Sequence, residues 1–189
     1  MRLAAVMAVG LLLAGLVSFR VSQAATPAIE FVPGSVSFTA DARTATMDLR
    51  VTGAHDLGAY EIELAFDPAV VIVDRVDRVV GTAEQTSPNR EWVTLPDPSA
   101  SDTGYTQLSP GVIVFGGYSY GANNPPGLDG DVTLARLHLR GIGDGSSALH
   151  LNRVEVPDTQ AAVQSPTGSD ASVSVSGILR HLFLPMIGK

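Results

Sequence analysis

Apolar and polar residues alternate with period two along most of this chain. Ala45, Met47, Leu49 and Val51 are interleaved with Thr46, Asp48, Arg50 and Thr52, and Tyr60, Ile62, Leu64 and Phe66 with Glu61, Glu63 and Ala65. Successive side chains of a strand point to opposite sides, so each run predicts a strand with one buried and one wet face, as in antiparallel sheets. Leu134 to Leu139 and Leu149 to Val154 alternate in the same way, and Val173 with Val175 closes the series. Val70 to Val73 and Val112 to Phe115 are continuous apolar blocks, which suit central strands covered on both faces or a strand crossing an edge.

Turn-forming residues separate these runs: Pro33-Gly34, Thr52-Gly53, Asp67-Pro68, Asn123 to Gly127, and Gly141 to Gly145. No stretch of ten or more residues carries a helical stripe. Short strands punctuated in this way predict an all-β sandwich or jelly roll. Thr82 to Ser109 is rich in Ser, Thr, Pro and Asp. It is expected to form a long excursion with one short strand near Glu91 to Leu95.

The first residues follow a different rule. Arg2 precedes an uninterrupted apolar run from Leu3 to Val17, and the polar stretch Ser18 to Gln23 leads to Ala24-Ala25. Ser22 and Ala24 put small side chains at the positions a signal peptidase reads, so residues 1–24 are expected to be a signal peptide cleaved after Ala24. The alternative is an uncleaved anchor, but the apolar run is shorter than the ~20 residues a membrane-crossing helix needs, and Arg20 ends it. A single domain is then expected over residues 25–176, followed by a hydrophobic tail over residues 177–189. That tail (Ile178 to Ile187) reads as an edge strand, an interfacial patch or a sorting signal. No later segment is long and apolar enough to span a membrane.

Charge narrows the class of partner. Lys and Arg number 12 against 19 Asp and Glu, a formal −7, and Arg2 and Arg20 belong to the leader. Such an acidic surface is a poor partner for nucleic acid or anionic lipid. There is no cysteine, so an exported domain must rely on its own apolar core.

The order of these motifs resembles that of cohesin domains. The run Tyr60 to Val71, an alternating strand ending in Phe66-Asp67-Pro68, is similar to the third cohesin strand and its turn. Ala45 to Val51 stands where cohesins have their second strand. Gly130 to Leu139 resembles a late core strand, Leu149 to Asp158 the next strand and turn, and Val173 to Val175 the closing strand. The resemblance covers Ile29 to Ser176. It implies a nine-stranded jelly-roll β-sandwich, related to several carbohydrate-binding modules. It also implies a non-catalytic role in extracellular polysaccharide breakdown: binding a dockerin-bearing protein, often at the cell surface, with no cofactor. Polysaccharide itself is the other expected ligand, and a structural or adhesive surface element the alternative.

Candidate chemistry is sparse. Gly117-Tyr118-Ser119-Tyr120-Gly121 fits the G-x-S-x-G pattern of a hydrolase nucleophile, but that motif needs a strand-to-helix turn, and Ala122 to Gly127 cannot start a helix. A serine hydrolase is therefore disfavoured and no catalytic residue is assigned. His138 and His150 would form a metal pair if they faced the same way on neighbouring strands, but no third ligand is evident. Asp129-Gly130-Asp131 lacks the alternating oxygen ligands of a calcium loop and reads as a hairpin turn. Exposed aromatic rings can stack on the apolar side of a sugar. Trp92, Tyr105, Tyr118 and Tyr120 are the candidate ligand-binding residues.

Overall fold

The computed structural model describes residues 26–97 and 102–177. The expected leader and nearly all of the expected tail lie outside them. The described residues form thirteen strand segments and no helix. They are β1 (Ala28–Val32), β2 (Ser35–Phe38), β3 (Thr44–Leu57), β4 (Ala59–Ala65), β5 (Val71–Arg78), β6 (Glu91–Leu95), β7 (Thr106–Ser109), β8 (Val112–Tyr120), β9 (Leu128–Gly141), β10 (Gly145–Pro157), β11 (Val163–Gln164), β12 (Thr167–Gly168) and β13 (Ala171–Val175).

Two sheets pack face to face. The first runs in the order β12-β1-β3-β9-β5, and the second β2-β13-β10-β4-β8-β6, with β7 beside β8 and β11 beside β10. Most pairs are antiparallel; β2 joins β13 in parallel, Val36 beside Val173, so strands from the two ends of the domain lie together in one sheet. Four short segments (β6, β7, β11 and β12) belong to the excursions after β5 and β10, and the other nine make the expected jelly-roll frame.

The period-two pattern explains the core. Met47, Leu49 and Val51 of β3, Leu137 and Leu139 of β9, and Val71 and Val73 of β5 meet Tyr60, Ile62 and Leu64 of β4 and Ile113 and Phe115 of β8, all buried. The two continuous apolar blocks are buried on one face only. Ile72, Val112 and Val114 point outward and are half-buried, and β5 is an edge strand. Two-sided burial of these blocks is therefore incorrect: Ile72, Val112 and Val114 are half-buried, and among the described residues no second layer covers them.

Two expected turns are interruptions within long strands. Thr52-Gly53 lies inside β3 and Asp129-Gly130-Asp131 inside β9, where the register shifts between Val51 and Ala54 and again before Leu57. Gly53 and Gly130 take φ of 65° and 86°, a region glycine enters at little cost. The carboxylates serve the irregular ladder: Asp131 Oδ1 accepts from Gly53 N at 3.2 Å, and Asp129 Oδ1 from Asp56 N at 2.8 Å. Glycine flanked by aspartates is a bulge signal here.

The excursion after β5 holds two strands where one was expected, and it covers open sheet edges. Thr103 O accepts from Val76 N at 2.8 Å, Tyr105 Oη donates to Val73 O at 2.8 Å, and Arg78 Nη1 donates to Trp92 O. Unpaired edge groups invite pairing with other chains; these contacts occupy some of those on β5 and β6.

Candidate functional site

The outer face of β10, β4, β8 and β6 is fixed by register. Ala59 faces Tyr118, which faces Val93; Glu61 faces Gly116, which faces Leu95; Glu63 faces Val114, which faces Thr106. At the upper end Tyr120 faces Glu91. Alternation brings all these side chains to one side of the sheet. Leu95, Tyr118 and Tyr120 are 42%, 43% and 51% exposed, and they gather on this one face three of the seven large exposed hydrophobic residues among those described.

The four aromatic candidates separate. Tyr118 and Tyr120 stand together on this face. Trp92 is turned inward, 8% exposed, because on β6 it lies out of phase with Val93; its ring meets Tyr60 at 6.3 Å between centroids, tilted 42°. Tyr105 lies half-buried at the β5 edge, where burial chiefly raises its phenol above the ordinary value. Leu95, Val114 and Gly116 join the face although nothing in the sequence marked them. Their membership depends on the cross-strand register of β4, β8 and the excursion.

Ser119 lies between the two exposed tyrosines and faces inward. Its Oγ donates to Gly58 O at 2.8 Å and accepts from Arg90 Nε at 2.8 Å. The guanidinium, 8% exposed, also donates to Ser119 O at 2.9 Å, Asn124 Oδ1 at 3.2 Å and Pro125 O. A buried charge needs such saturation. It ties β6, β8 and the loop after β8 together, and so holds Tyr118 and Tyr120 in place. The serine is buried mid-strand with its lone pair and proton both engaged, the opposite of a nucleophile elbow.

Charge differs between the two outer faces. Residues 26–177 contain 8 arginines and all 19 acids, a formal −11. On the first sheet the charges interlock: Arg136 with Asp48 at 2.7 Å and with Glu84 at 3.1 Å, Arg140 with Asp74 at 2.8 Å, and Arg75 with Asp77 at 2.8 Å. On the second sheet, of Glu61, Glu63, Glu91 and Glu155, only Glu61 and Glu155 meet a guanidinium, that of Arg153, which bonds Glu61 and approaches Glu155 at 3.6 Å. Asn152 donates to Glu63 at 3.1 Å, and Tyr120 Oη donates to Glu91 at 2.6 Å. That bond is the main reason the Tyr120 phenol is raised.

The histidines do not pair with one another. His138 lies in the first sheet, bonded to Asp77 at 2.8 Å, and His150 in the second, bonded to Asp170 at 2.6 Å. The neighbouring-strand arrangement considered from the sequence is therefore incorrect: the Gly141 to Gly145 connection passes from one sheet to the other. Among the described residues no group of three His, Cys, Asp or Glu side chains is placed to hold a metal ion.

No protein-family model matches this chain, and no curated protein matches it in sequence. Solved structures do match. The non-cellulosomal cohesin of the hyperthermophilic archaeon Archaeoglobus fulgidus superposes with a TM-score of 0.54 at 16% identity, over 81% of this chain and 93% of the cohesin. The fold is that of a cohesin module. The cohesin CaCohA2 of Clostridium acetobutylicum gives 0.56 at 17% identity, over 82% of this chain and 93% of its own. The OlpA cohesin of Clostridium thermocellum, solved in complex with a dockerin, gives 0.55 at 11% identity, over 80% and 99%. The cohesin-like domain thus spans nearly the whole of each matched module.

Proposed function

We propose that this chain is an exported, non-catalytic recognition module that holds a dockerin-type protein partner on the outer face of β10, β4, β8 and β6, in extracellular polysaccharide breakdown. The observation that carries the reading is the asymmetry between the two outer faces. One is laced with mutually neutralising ion pairs. The other displays Leu95, Tyr118 and Tyr120 among glutamates with one shared arginine. Exposed aromatic and aliphatic groups ringed by charge suit a protein interface, where buried anchors supply affinity and rim charges supply steering. The C. thermocellum neighbour, solved with its dockerin, adds support at the level of fold. Export rests on the leader, and the engaged Ser119 hydroxyl supports the non-catalytic reading.

Of the four aromatic candidates, contact is assigned to Tyr118 and Tyr120, and a supporting role to Trp92 and Tyr105. The test is recovery from secreted proteins by the immobilised chain: a partner carrying duplicated calcium-loop repeats is expected, and its retention by a Tyr118→Ala, Tyr120→Ala variant would contradict the assignment.

Polysaccharide is the second reading, favoured by one observation. Tyr118 and Tyr120 are two residues apart on one strand, so their origins lie about 7 Å apart along a flat face, an arrangement onto which successive sugar rings can stack. Retention on insoluble glycans, lost on Tyr118→Ala, would select it. Failure of both tests would leave a structural or adhesive surface element.

A further inference from the structure

The outer face has a hole in it at Gly116. A Cβ there would lie 2.4 Å from Tyr60 O, so glycine is required by the close approach of β4 and β8, and Gly116 itself, though buried, forms part of the floor of a cavity. Around Gly116 the residues Leu95, Pro96, Val114, Thr106 and Glu61 line an open cavity of about 140 Å³. That is well below the ~300–1,000 Å³ of small-molecule sites. It is suited to one protruding side chain.

The charges at its mouth specify which one. Glu61 shares Arg153 with Glu155, and Glu63, directly across from Val114, is met by the neutral amide of Asn152. Glu61 is the one carboxylate that lines the cavity, and Glu63 and Glu155 stand beside it on the same face, so three carboxylates share the neighbourhood with one guanidinium. Apart from Glu61 the walls are uncharged, with polar and apolar surface in equal measure. A long aliphatic stem with a cationic head satisfies both requirements, the stem lying against Leu95 and Val114 and the head reaching Glu61 and Glu63. An acidic side chain would be repelled, and a purely aliphatic one would leave the carboxylates unanswered.

We infer that the Gly116 cavity is the anchor point of the docking face and takes a single lysine or arginine side chain of the protein partner. This rests on the docking-face reading and adds to it the chemistry of the partner's central residue. Tyr118, one step along the strand, then packs beside the anchor and excludes water from it, the arrangement in which a desolvated charge contributes most to affinity.

The experiment is a yeast-displayed library of dockerin modules with randomised surface positions, sorted against the full chain. Selected clones are expected to share a lysine or arginine at one position. They should bind about ten-fold more weakly to a Glu61→Gln, Glu63→Gln variant, and that difference should shrink as salt rises. Thr106→Phe, an exposed edge-strand change that closes the cavity without touching the core, should weaken them as well. Clones that lose binding on Tyr118→Ala but ignore both cavity variants would overturn this inference and leave the docking face intact. Clones anchored by leucine or methionine at the shared position would overturn the cationic assignment. Clones indifferent to Tyr118→Ala and the cavity variants alike, or no clones at all, would overturn the docking face itself.

Discussion

Tyr120 donates its phenolic proton to Glu91 Oε2 at 2.6 Å across the β6–β8 ladder, where the two residues stand directly opposite. The hydrogen bond, and then the carboxylate charge, disfavour loss of that proton, so the Tyr120 phenol lies above its ordinary value of 10.0. Glu91→Ala removes both effects. An ultraviolet titration of the variant should show one tyrosine moving down toward the ordinary value; an unchanged curve would mean that the pair is not formed in solution.

Trp92 and Tyr118 differ in what they support. Trp92 fills the core beside Tyr60, and its truncation to alanine should cost about 3–5 kcal/mol of stability. Tyr118→Ala removes an exposed side chain and should change stability by no more than about 0.5 kcal/mol. Denaturant unfolding of the two variants measures the contrast, and equal losses would place Tyr118 in the core.

Arg90 should behave as a structural clasp. Arg90→Ala strands the buried Ser119 acceptors that the guanidinium now satisfies, at a cost of about 1–3 kcal/mol for each group left buried and unpaired, and frees the Asn124 and Pro125 oxygens to water. Lysine carries the charge but cannot reproduce the fork. Hydrogen exchange over residues 121–127 should accelerate in both Arg90→Ala and Arg90→Lys. Protection retained in the lysine variant would show that charge alone suffices.

Asp170 gives the fold a modest acid sensitivity. Its carboxyl is lowered from 3.8, chiefly by the hydrogen bond from His150 and then by Leu151 N. A depressed carboxylate contributes stability that is present above the unfolded value and is lost as pH falls through the folded one. The pair is largely exposed, so Asp170→Asn should cost less than about 1 kcal/mol near neutrality. The difference from the native chain should disappear in strong acid. A cost that persists there would point to packing and not to charge.

How much of this was legible in the sequence follows from how local each feature is. Met47, Leu49 and Val51, or Ile62 and Leu64, declare their buried face within a few residues, because strand alternation needs no knowledge of the partner strand. Glu91 to Leu95 was likewise readable as a strand. The bulges at Gly53 and Gly130 were not, since a glycine between polar residues is the same local signal whether the chain turns back or runs on with shifted register. The proposed docking face was half legible. Tyr118 and Tyr120 are visible as a pair on one strand, whereas Leu95 and Gly116 meet through pairing between segments about twenty residues apart, and Trp92 appears as available as Tyr118 until the phase of β6 is known.

The central claim is that partner binding belongs to the outer face of β10, β4, β8 and β6. Calorimetric titration of the full chain with a panel of dockerin modules tests it most directly, using Tyr118→Ala with Leu95→Ser on this face and Arg50→Ala on the opposite one. At least one dockerin should bind in a one-to-one complex, weakened about ten-fold or more by the first pair of changes and unaltered by the second. Absence of binding across the panel, or a loss that follows Arg50 instead, would contradict it.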